Sequence, residues 1–279
     1  LFYPEKRPFF QERSAIYDFT FGDQDRLFYS RRVGLAGGEP VTILGGARVV
    51  GRAGGWDIGA LDMQQASTPG EGRVNVGVAR VRRQVLNPSS YVGGMITSRV
   101  SERGPDNVAY GLDSLLRVGK NDYVQAAFAQ TADPGGGPGL STDSARARLL
   151  LERRVVSGLA YSADLGYSGK AYSPRLGFES RQDFASLGGA LRYGWTPKGP
   201  TPILLHRVAV EAWALRSNTR GVIESADAGP MWATRTKSGY LMMASPRFSA
   251  EDVPGPLALA PDVAVPAGRY QFSHILGYL

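Results

Sequence analysis

The sequence contains no cysteine and only two histidines, His206 and His274, in 279 residues. The absence of cysteine excludes disulfide frameworks, thiolate zinc sites and cysteine nucleophiles. Two histidines so far apart in sequence disfavour an imidazole metal site. A Ser-His-Asp triad would need one of them, and the sequence has no G-x-S-x-G elbow to present the serine. We therefore expect no enzyme activity, no metal site and no cofactor.

Long runs of one kind of residue are also missing. Lys and Arg outnumber Asp and Glu by 32 to 25, a net charge of +7, but the basic residues occur singly or in pairs. Such dispersed charge disfavours a nucleic-acid partner. The sequence has no run of 18 apolar residues, so it predicts no transmembrane helix, and the opening Leu-Phe-Tyr-Pro is not a signal peptide. We expect the chain to be a piece of a longer protein.

The sequence is rich in apolar and polar residues that alternate with period two, the pattern of β-strands. The clearest stretch covers residues 159–167, and the same pattern recurs at 187–195 and 108–118. No charge falls on the apolar row of any of the three. Turns inferred from clusters of Gly, Pro, Asn and Asp predict fourteen strands. They cover 27–33, 41–53, 56–66, 73–85, 90–101, 107–119, 122–132, 144–156, 158–169, 184–196, 203–216, 221–235, 239–248 and 268–279.

The length of these strands favours a membrane barrel over a soluble β-sandwich. Most exceed ten residues, whereas soluble strands average about 5–6 residues and a membrane crossing needs about 9–11. The links also alternate between short and long, as periplasmic turns and extracellular loops do. Tyr270 and Tyr278 share one face of the last strand and fit an aromatic girdle, although aromatic residues favour any strand. We predict an all-β, antiparallel, up-and-down transmembrane β-barrel, incomplete in this chain.

Residues 2–12 carry a specific resemblance. The run Phe2-Tyr3-Pro4-Glu5-Lys6-Arg7-Pro8-Phe9-Phe10-Gln11-Glu12 resembles the FFPEKRPFFLE signature of a family of bacterial outer-membrane barrels, domain of unknown function 5916. Further blocks match in order at 27–34, 43–56, 176–195 and 266–270. The resemblance implies location in the outer membrane of a Gram-negative bacterium, in contact with outer-membrane lipid. It also implies an upstream module similar to family 9 carbohydrate-binding modules and further strands downstream, and it supplies no settled activity.

Charged residues on the predicted strands should face the lumen of the barrel. A guanidinium on the lipid side would cost about 2–4 kcal/mol at the membrane midplane. Alternation along the strands then gives the lumen-facing candidates Arg48, Arg52, Asp113, Arg117, Arg146, Arg148, Glu152, Asp164 and Arg192. Arginines outnumber acids in this set, which favours anions in an open pore. Alternatively, the arginines only pair with acids on neighbouring strands or on a plug.

Residues 1–26 form a separate segment ahead of the strands at 27–279. Pro4 and Pro8 exclude a central strand at the start of this segment. The segment is either a periplasmic linker or a plug folded into the lumen. The plug candidates are Glu5, Lys6, Arg7, Phe9 and Phe10, whose mixed charge would pair with charges of the lumen.

Three functional classes remain open at this point. The first is a pore or transporter for small polar, anionic or carbohydrate-related solutes. The second is a surface-display, binding or assembly protein, anchored by a plugged barrel and associated with a periplasmic carbohydrate-binding module. A membrane-embedded hydrolase is the third and weakest. An open lumen would favour transport, and a lumen filled by residues 1–26 would favour display. The sequence names no protein partner.

Overall fold

The computed structural model describes residues 2–22, 24–132, 140–260 and 263–278; Leu1, Asp23 and Leu279, which fall in predicted segments, lie outside them. Within the described residues, no helix is long and apolar enough to cross a membrane. In the described ranges, helical structure is confined to the short helix α1 (Pro8–Gln11) and to single turns at Ser14–Tyr17, Ser30–Arg32 and Thr142–Ser144. The strands are β1 (Leu35–Ala36), β2 (Glu39–Pro40), β3 (Ile43–Ala53), β4 (Trp56–Thr68), β5 (Gly72–Gln84), β6 (Tyr91–Ser101), β7 (Asn107–Arg117), β8 (Asp122–Ala132), β9 (Ala145–Arg153), β10 (Gly158–Ser168), β11 (Phe184–Trp195), β12 (Ile203–Ser217), β13 (Ile223–Thr236), β14 (Leu241–Val253), β15 (Leu257–Ala260), β16 (Val263–Val265) and β17 (Gly268–Tyr278).

Thirteen of these strands form one antiparallel, up-and-down sheet. The order runs from β17 to β14 and then strand by strand back to β3, so each strand lies beside its neighbour in the chain. This confirms the prediction of an all-β, antiparallel, up-and-down fold. Within the described residues, no pairing joins β3 to β17, and closure of the sheet into a barrel is not observed. The two short pairs, β1–β2 and β15–β16, stand apart from the sheet.

Thirteen of the fourteen predicted strands are present, with ends shifted by up to five residues. The strand predicted at 27–33 is wrong. Leu27, Phe28 and Tyr29 are all buried, and their backbone bonds to other loops instead of to a ladder. The Leu27 N–H donates to the Phe19 carbonyl at 3.0 Å, and the Tyr29 N–H donates to the Leu176 carbonyl at 2.7 Å. All three consecutive side chains are buried, whereas a strand with one solvent-exposed face would bury every second one. This apolar run therefore belongs to a packed loop.

The predicted alternation of link lengths holds only in part. The link at 69–71 has three residues although the alternation predicts a long one, and the next link, at 85–90, has six. Gly72 explains the first difference, because its φ of +70° lets β5 begin immediately after a tight turn. The long links at 169–183 and 254–267 are present as expected.

The chain divides into two compact units. The first unit comprises Leu1–Arg117, Gln125–Leu149 and Tyr167–Asp183, and the second comprises Val118–Val124, Leu150–Gly166 and Phe184–Leu279. In each unit we call the face of the sheet that carries most charged side chains the polar face, and the opposite one the apolar face.

In the first unit, the polar face is covered by the start of the chain, and the hydrophobic core lies between the two. The apolar face presents Ile58, Val81 and Leu112, which the strand register places side by side with Gly94 and which are exposed. The core contains Phe10, Ile16, Tyr17, Phe19, Phe21, Leu27, Phe28 and Val33 against Leu61, Met63, Val74, Val76, Val78, Met95, Ala109, Ala129, Tyr172 and Leu176.

In the second unit, the register corrects the prediction for the last strand. Tyr270 pairs with Glu251, and His274 pairs with Arg247, so the aromatic row of β17 lies on the polar face. Tyr270 and Tyr278 therefore lie on the same face as Glu251 and Arg247, and not on the apolar face. Alternation along β17 separates its side chains into two rows but does not show which row lies on the polar face of the sheet. An acidic residue in one row would have indicated the polar face, but β17 contains none.

Candidate functional site

The start of the chain docks on the polar face of the first unit. We call residues 2–22 and 24–34 the N-terminal segment. Tyr17 is buried, and its hydroxyl donates to the carbonyl of Ala60 in β4 at 2.9 Å. Phe19 is 1% exposed and belongs to the same core as Val76 and Ala109 on the strands. Buried aromatic side chains of the segment thus supply its main contact with the sheet.

Two glycines on the polar face provide the room for these aromatic rings. A Cβ at Gly59 would lie 3.1 Å from ring atoms of Tyr17 and 3.2 Å from Cγ2 of Ile16. A Cβ at Gly111 would lie 2.8 Å from Cζ of Phe19. Larger residues at these two positions would displace the N-terminal segment, so the strands are shaped to receive it.

Arg80 is the charged centre of this contact. Its guanidinium is fully buried and donates through Nη1 and Nη2 to Oδ1 and Oδ2 of Asp113, at 2.6 and 2.7 Å. The same guanidinium donates to the carbonyls of Ile16 at 3.3 Å and Asp18 at 3.1 Å. The Tyr91 hydroxyl donates to Asp113 at 3.2 Å. A buried ion pair is tolerated only when its remaining groups are satisfied, and here the N-terminal segment supplies two acceptors.

Arg146, one of the predicted lumen residues, joins the N-terminal segment at a second point. Its Nη2 donates to Oδ2 of Asp25 at 3.0 Å, and its Nε lies 3.3 Å from Oε1 of Glu179. Oδ1 of Asp25 accepts from the N–H of Ser180 at 2.9 Å. The carboxylate of Asp25 thus links the strand β9 to the loop that follows β10.

Two of the plug candidates, Glu5 and Arg7, pair with each other instead of with a strand. Nη2 of Arg7 lies 2.8 Å from Oε2 of Glu5, which also accepts from Oγ of Ser30 at 2.6 Å. Nη1 of Arg7 donates to the carbonyl of Val33 at 2.8 Å. Burial alone would raise the pKa of Glu5, but the hydrogen bonds from Arg7 and Ser30 outweigh it and lower the pKa to about 2. Glu5 and Arg7 therefore form their bonds within the N-terminal segment and not with the sheet.

The other plug candidates differ in their surroundings. Phe10 is buried in the core, and Lys6 is exposed. Phe9 is 46% exposed, and the guanidinium of Arg48 lies 5.4 Å from its ring centroid. Arg48 also donates to the carbonyls of Phe9 and Glu12. A strand arginine therefore holds the segment through backbone carbonyls, and not through the charge pairing that the sequence predicts.

The remaining candidates of the first unit lie along β3, β7 and β9. Arg52 pairs with Asp57 across the tight turn at 54–55, with Nε 2.5 Å from Oδ1. Arg117 is half-buried at the end of β7. Arg148 lines a polar cavity of about 30 Å³ that Asp113 also lines. The structure thus brings Arg148 and Asp113 together, whereas Arg52 has a partner of its own.

In the second unit, Arg192 pairs with a residue that sequence reasoning missed. Its Nε donates to Oε1 of Glu211 at 2.9 Å, and both side chains are partly exposed, by 35% and 30%. Glu152 accepts from Nη2 of Arg154 at 2.6 Å. Both pairs are accessible to solvent, unlike Arg80 and its partner.

Asp164 lies on the polar face of the second unit beside a row of paired residues. A Cβ at Gly188 would lie 4.0 Å from Cβ of Asp164 and 3.5 Å from Cβ of Trp213. The register pairs Trp213 with Asp227, and Oδ1 of Asp227 accepts from Nε of Arg247 at 2.7 Å. The polar face of this unit therefore carries the ion pairs of Arg192 with Glu211 and of Arg247 with Asp227.

Sequence reasoning underestimated the number of acidic residues that pair with arginines. The missed acids that form ion pairs with arginines are Asp25, Asp57, Glu71, Asp122, Glu179, Glu211, Glu224, Asp227 and Asp252. Parity would have found Asp57, Glu211 and Asp227, because each alternates with apolar residues on a predicted strand. Asp25 and Glu179 lie in loops, where no period exists to read.

A cavity of about 440 Å³ lies within the first unit, between the N-terminal segment and the strands β3 and β4. Aromatic rings form much of its wall, and charged groups of both signs reach it, a combination suited to a small polar molecule. Its lining includes Phe2, Glu5, Phe10, Ser14, Tyr17, Asp18, Arg26, Phe28, Tyr29 and Arg48.

Among the residues that the structure describes, no three histidine, aspartate or glutamate side chains are grouped so that they could hold a metal ion. Comparison of the chain with protein-family models, with curated proteins and with solved structures finds no match.

Proposed function

We propose that the chain belongs to an outer-membrane β-barrel of the kind that its N-terminal signature resembles. Strands of 9 to 15 residues in the large sheet are long enough to cross a bilayer. The end strands β3 and β17 each have one strand neighbour among the described residues, which leaves an edge for further strands. In this proposal the apolar face meets lipid, and the polar face lines the lumen.

The apolar face of the second unit supports contact with lipid. Leu191 and Val210 are cross-strand partners, and they are 57% and 62% exposed. Phe248 and Leu187 are also exposed on this face. Large exposed apolar surfaces mark contact with a membrane or with another protein, because water does not solvate them favourably. The cross-strand row of Leu191, Val210 and Pro230 carries no charge, which favours the membrane.

Aromatic rings at one end of the same face support the proposal. Trp195 and His206 lie 5.1 Å apart between ring centroids, and His206 and Trp232 lie 6.2 Å apart. All three lie near the link at 196–202. Tryptophan rings are enriched where the hydrocarbon of a membrane meets water, and a row of them at strand ends is typical of a girdle.

The docked N-terminal segment supports one of the functional classes. We propose that it is a plug, and that the protein is a plugged barrel that anchors a surface-display, binding or assembly function. The burial of Arg80 beneath the carbonyls of Ile16 and Asp18 carries this proposal, because removal of the segment would leave that guanidinium with fewer acceptors. The family resemblance suggests that the anchored partner is a periplasmic carbohydrate-binding module, with carbohydrate as the ligand.

A pore for small polar solutes is the second candidate. The partly exposed Arg192–Glu211 pair and the cavity of about 440 Å³ favour it, since both offer polar groups to a solute. Anion preference has less support from the structure than from the excess of arginines in the sequence. Most of the candidate arginines have carboxylate or carbonyl partners, and paired charges attract anions less strongly.

Conductance across a planar bilayer tests the proposal. We expect the full-length wild-type protein to be silent, because the plug blocks the lumen. Phe19→Ala removes a core side chain of the segment and should cost about 3–5 kcal/mol of docking, so channel openings should follow. Phe9→Ala is the matched control, since Phe9 is 46% exposed and its loss should leave the protein silent.

The outcomes separate the two candidates. Steady conductance of the wild-type protein would contradict the plug and favour the pore. Silence of both the wild type and the Phe19→Ala variant would contradict the assignment of the N-terminal segment as the barrier.

A further inference from the structure

The loop at 169–183, which we call the β10–β11 loop, is the second element that lies against the N-terminal segment in the first unit. The N–H groups of Arg26 and Phe178 donate to each other's carbonyls, both at 2.9 Å. The carbonyl of Leu176 accepts from the N–H of Tyr29 at 2.7 Å. The loop and the segment are therefore joined by backbone pairing, and either element can hold the other in place.

Three ionisable side chains meet beneath this junction. Arg146 on β9 reaches Asp25 of the N-terminal segment and Glu179 of the loop, at 3.0 and 3.3 Å. The side chains of Arg146, Asp25 and Glu179 are only 4%, 12% and 7% exposed. Two carboxyl groups share one guanidinium in a buried place. If both were ionised, the cluster would carry an excess negative charge, which burial makes costly.

Glu179 is the less well satisfied of the two carboxyl groups. Asp25 accepts from Arg146 and from the N–H of Ser180. Oε1 of Glu179 accepts from Oγ of Ser168 at 3.1 Å, but its Oε2 is buried and has no hydrogen-bond partner among the described residues. The buried hydroxyl of Tyr172 also has no partner there. The geometry thus favours a neutral Glu179.

The titration of Glu179 agrees with this geometry. Burial raises the pKa of Glu179 from its ordinary value to about 8, the charge of Arg146 opposes the rise, and the charge of Asp25 adds to it. These two residues and Tyr172 are the ionisable groups that face Glu179 from β9, from the N-terminal segment and from the loop itself.

We propose that Asp25, Arg146 and Glu179 form a proton-controlled latch, which holds the β10–β11 loop and the N-terminal segment together while Glu179 carries a proton. Opening exposes Glu179 to water, where it ionises and its proton is released to solvent. Arg146 and Asp25 remain paired in the closed state whether or not Glu179 carries its proton. The latch would stand whether or not the polar face lines a membrane pore.

The direction of the pH dependence follows from the raised pKa. An opened Glu179 titrates near its ordinary value of 4.5, and the closed one titrates near 8. The proton therefore stabilises the closed state fully below about pH 4.5, and this stabilisation is lost as the pH rises to 8. Because opening releases one proton, the equilibrium constant for opening rises about tenfold for each pH unit between these two values. Above pH 8 it stays constant.

Hydrogen exchange of backbone amides, corrected for the intrinsic effect of pH, tests the latch on the full-length protein in detergent. Amides of the β10–β11 loop and of residues 24–30 should lose protection about tenfold for each pH unit between pH 5 and 8, then level off. Glu179→Gln keeps the shape without the titration, so protection in that variant should not change with pH.

The control is Asp143→Asn, which removes the exposed ion pair of Asp143 with Lys170, 3.0 Å apart in the same unit. This variant should keep the wild-type pH profile. A Glu179→Gln variant that loses protection as the wild type does would overturn the latch. If that variant does not fold, the wild-type profile decides alone, since constant protection from pH 5 to 8 contradicts the proposal. Bilayer conductance remains a separate test of the plug.

Discussion

Each of the two units contains an ion pair between an arginine and an acid, but the pair is buried in the first unit and partly exposed in the second. In the first, Arg80 and Asp113 are 0% and 6% exposed, and the arginine reaches across β6 past Gly93. In the second, Arg192 and Glu211 lie on adjacent strands and are 35% and 30% exposed. Each pair is an arginine and an acid on the polar face of its own unit. What distinguishes the first pair is the N-terminal segment, whose carbonyls of Ile16 and Asp18 cover Arg80.

This difference shows that alternation fixes the face of a charged residue but not its energetics. A buried pair depends on every further hydrogen bond, because water no longer satisfies its unused groups. Arg80 obtains these bonds from the carbonyls of Ile16 and Asp18. Arg192 keeps contact with water and has no such dependence. The buried pair therefore ties the docking of the segment to the stability of the sheet.

The largest expected effect comes from a broken buried pair. Asp113→Asn leaves the guanidinium of Arg80 buried without its counter-charge and should destabilise the first unit by about 3–5 kcal/mol. Glu211→Gln is the matched change at the exposed pair and should cost no more than about 1 kcal/mol. Denaturant unfolding of both variants in detergent measures the difference. Equal losses would show that burial does not separate the two pairs.

A smaller effect is expected at the pair of Glu5 and Arg7, whose exposure is intermediate. Glu5 has a pKa of about 2, below the ordinary value of 4.5, so its stabilising bonds are present above pH 4.5 and are lost as the pH falls towards 2. As the pH falls through this window, the free energy that protects the amides of residues 5–12 from exchange should decrease by about 1 kcal/mol.

Glu5→Gln should remove this acid sensitivity, whereas Glu12→Gln, at an exposed residue, should retain it. Acid sensitivity that survives in the Glu5→Gln variant would assign the titration to a different group.

The sequence predicts the strands well because alternation is a local property. Residues 159–167 show it without interruption, and β10 (Gly158–Ser168) follows. The docking of the N-terminal segment could not be predicted in the same way. Tyr17 and Phe19 alternate with Asp18 and Thr20, but this local pattern does not show which distant strands they contact. The contacts of these rings at Gly59 and Gly111 become recognisable only once those strands are aligned. Likewise, the pairing of Asp25 with Arg146 joins residues 121 positions apart.

In the function proposed above, the apolar face of the sheet meets lipid and the polar face meets a polar interior. Because the chain has no cysteine, a cysteine introduced at each position from 187 to 193 in turn provides a unique thiol, once any cysteine outside the chain has been replaced by serine. In liposomes containing the full-length protein, Leu191→Cys should react only with a lipid-soluble reagent, and Ala190→Cys with a water-soluble maleimide. This period of two should continue along β11. Reaction of both variants with the water-soluble maleimide would contradict the account.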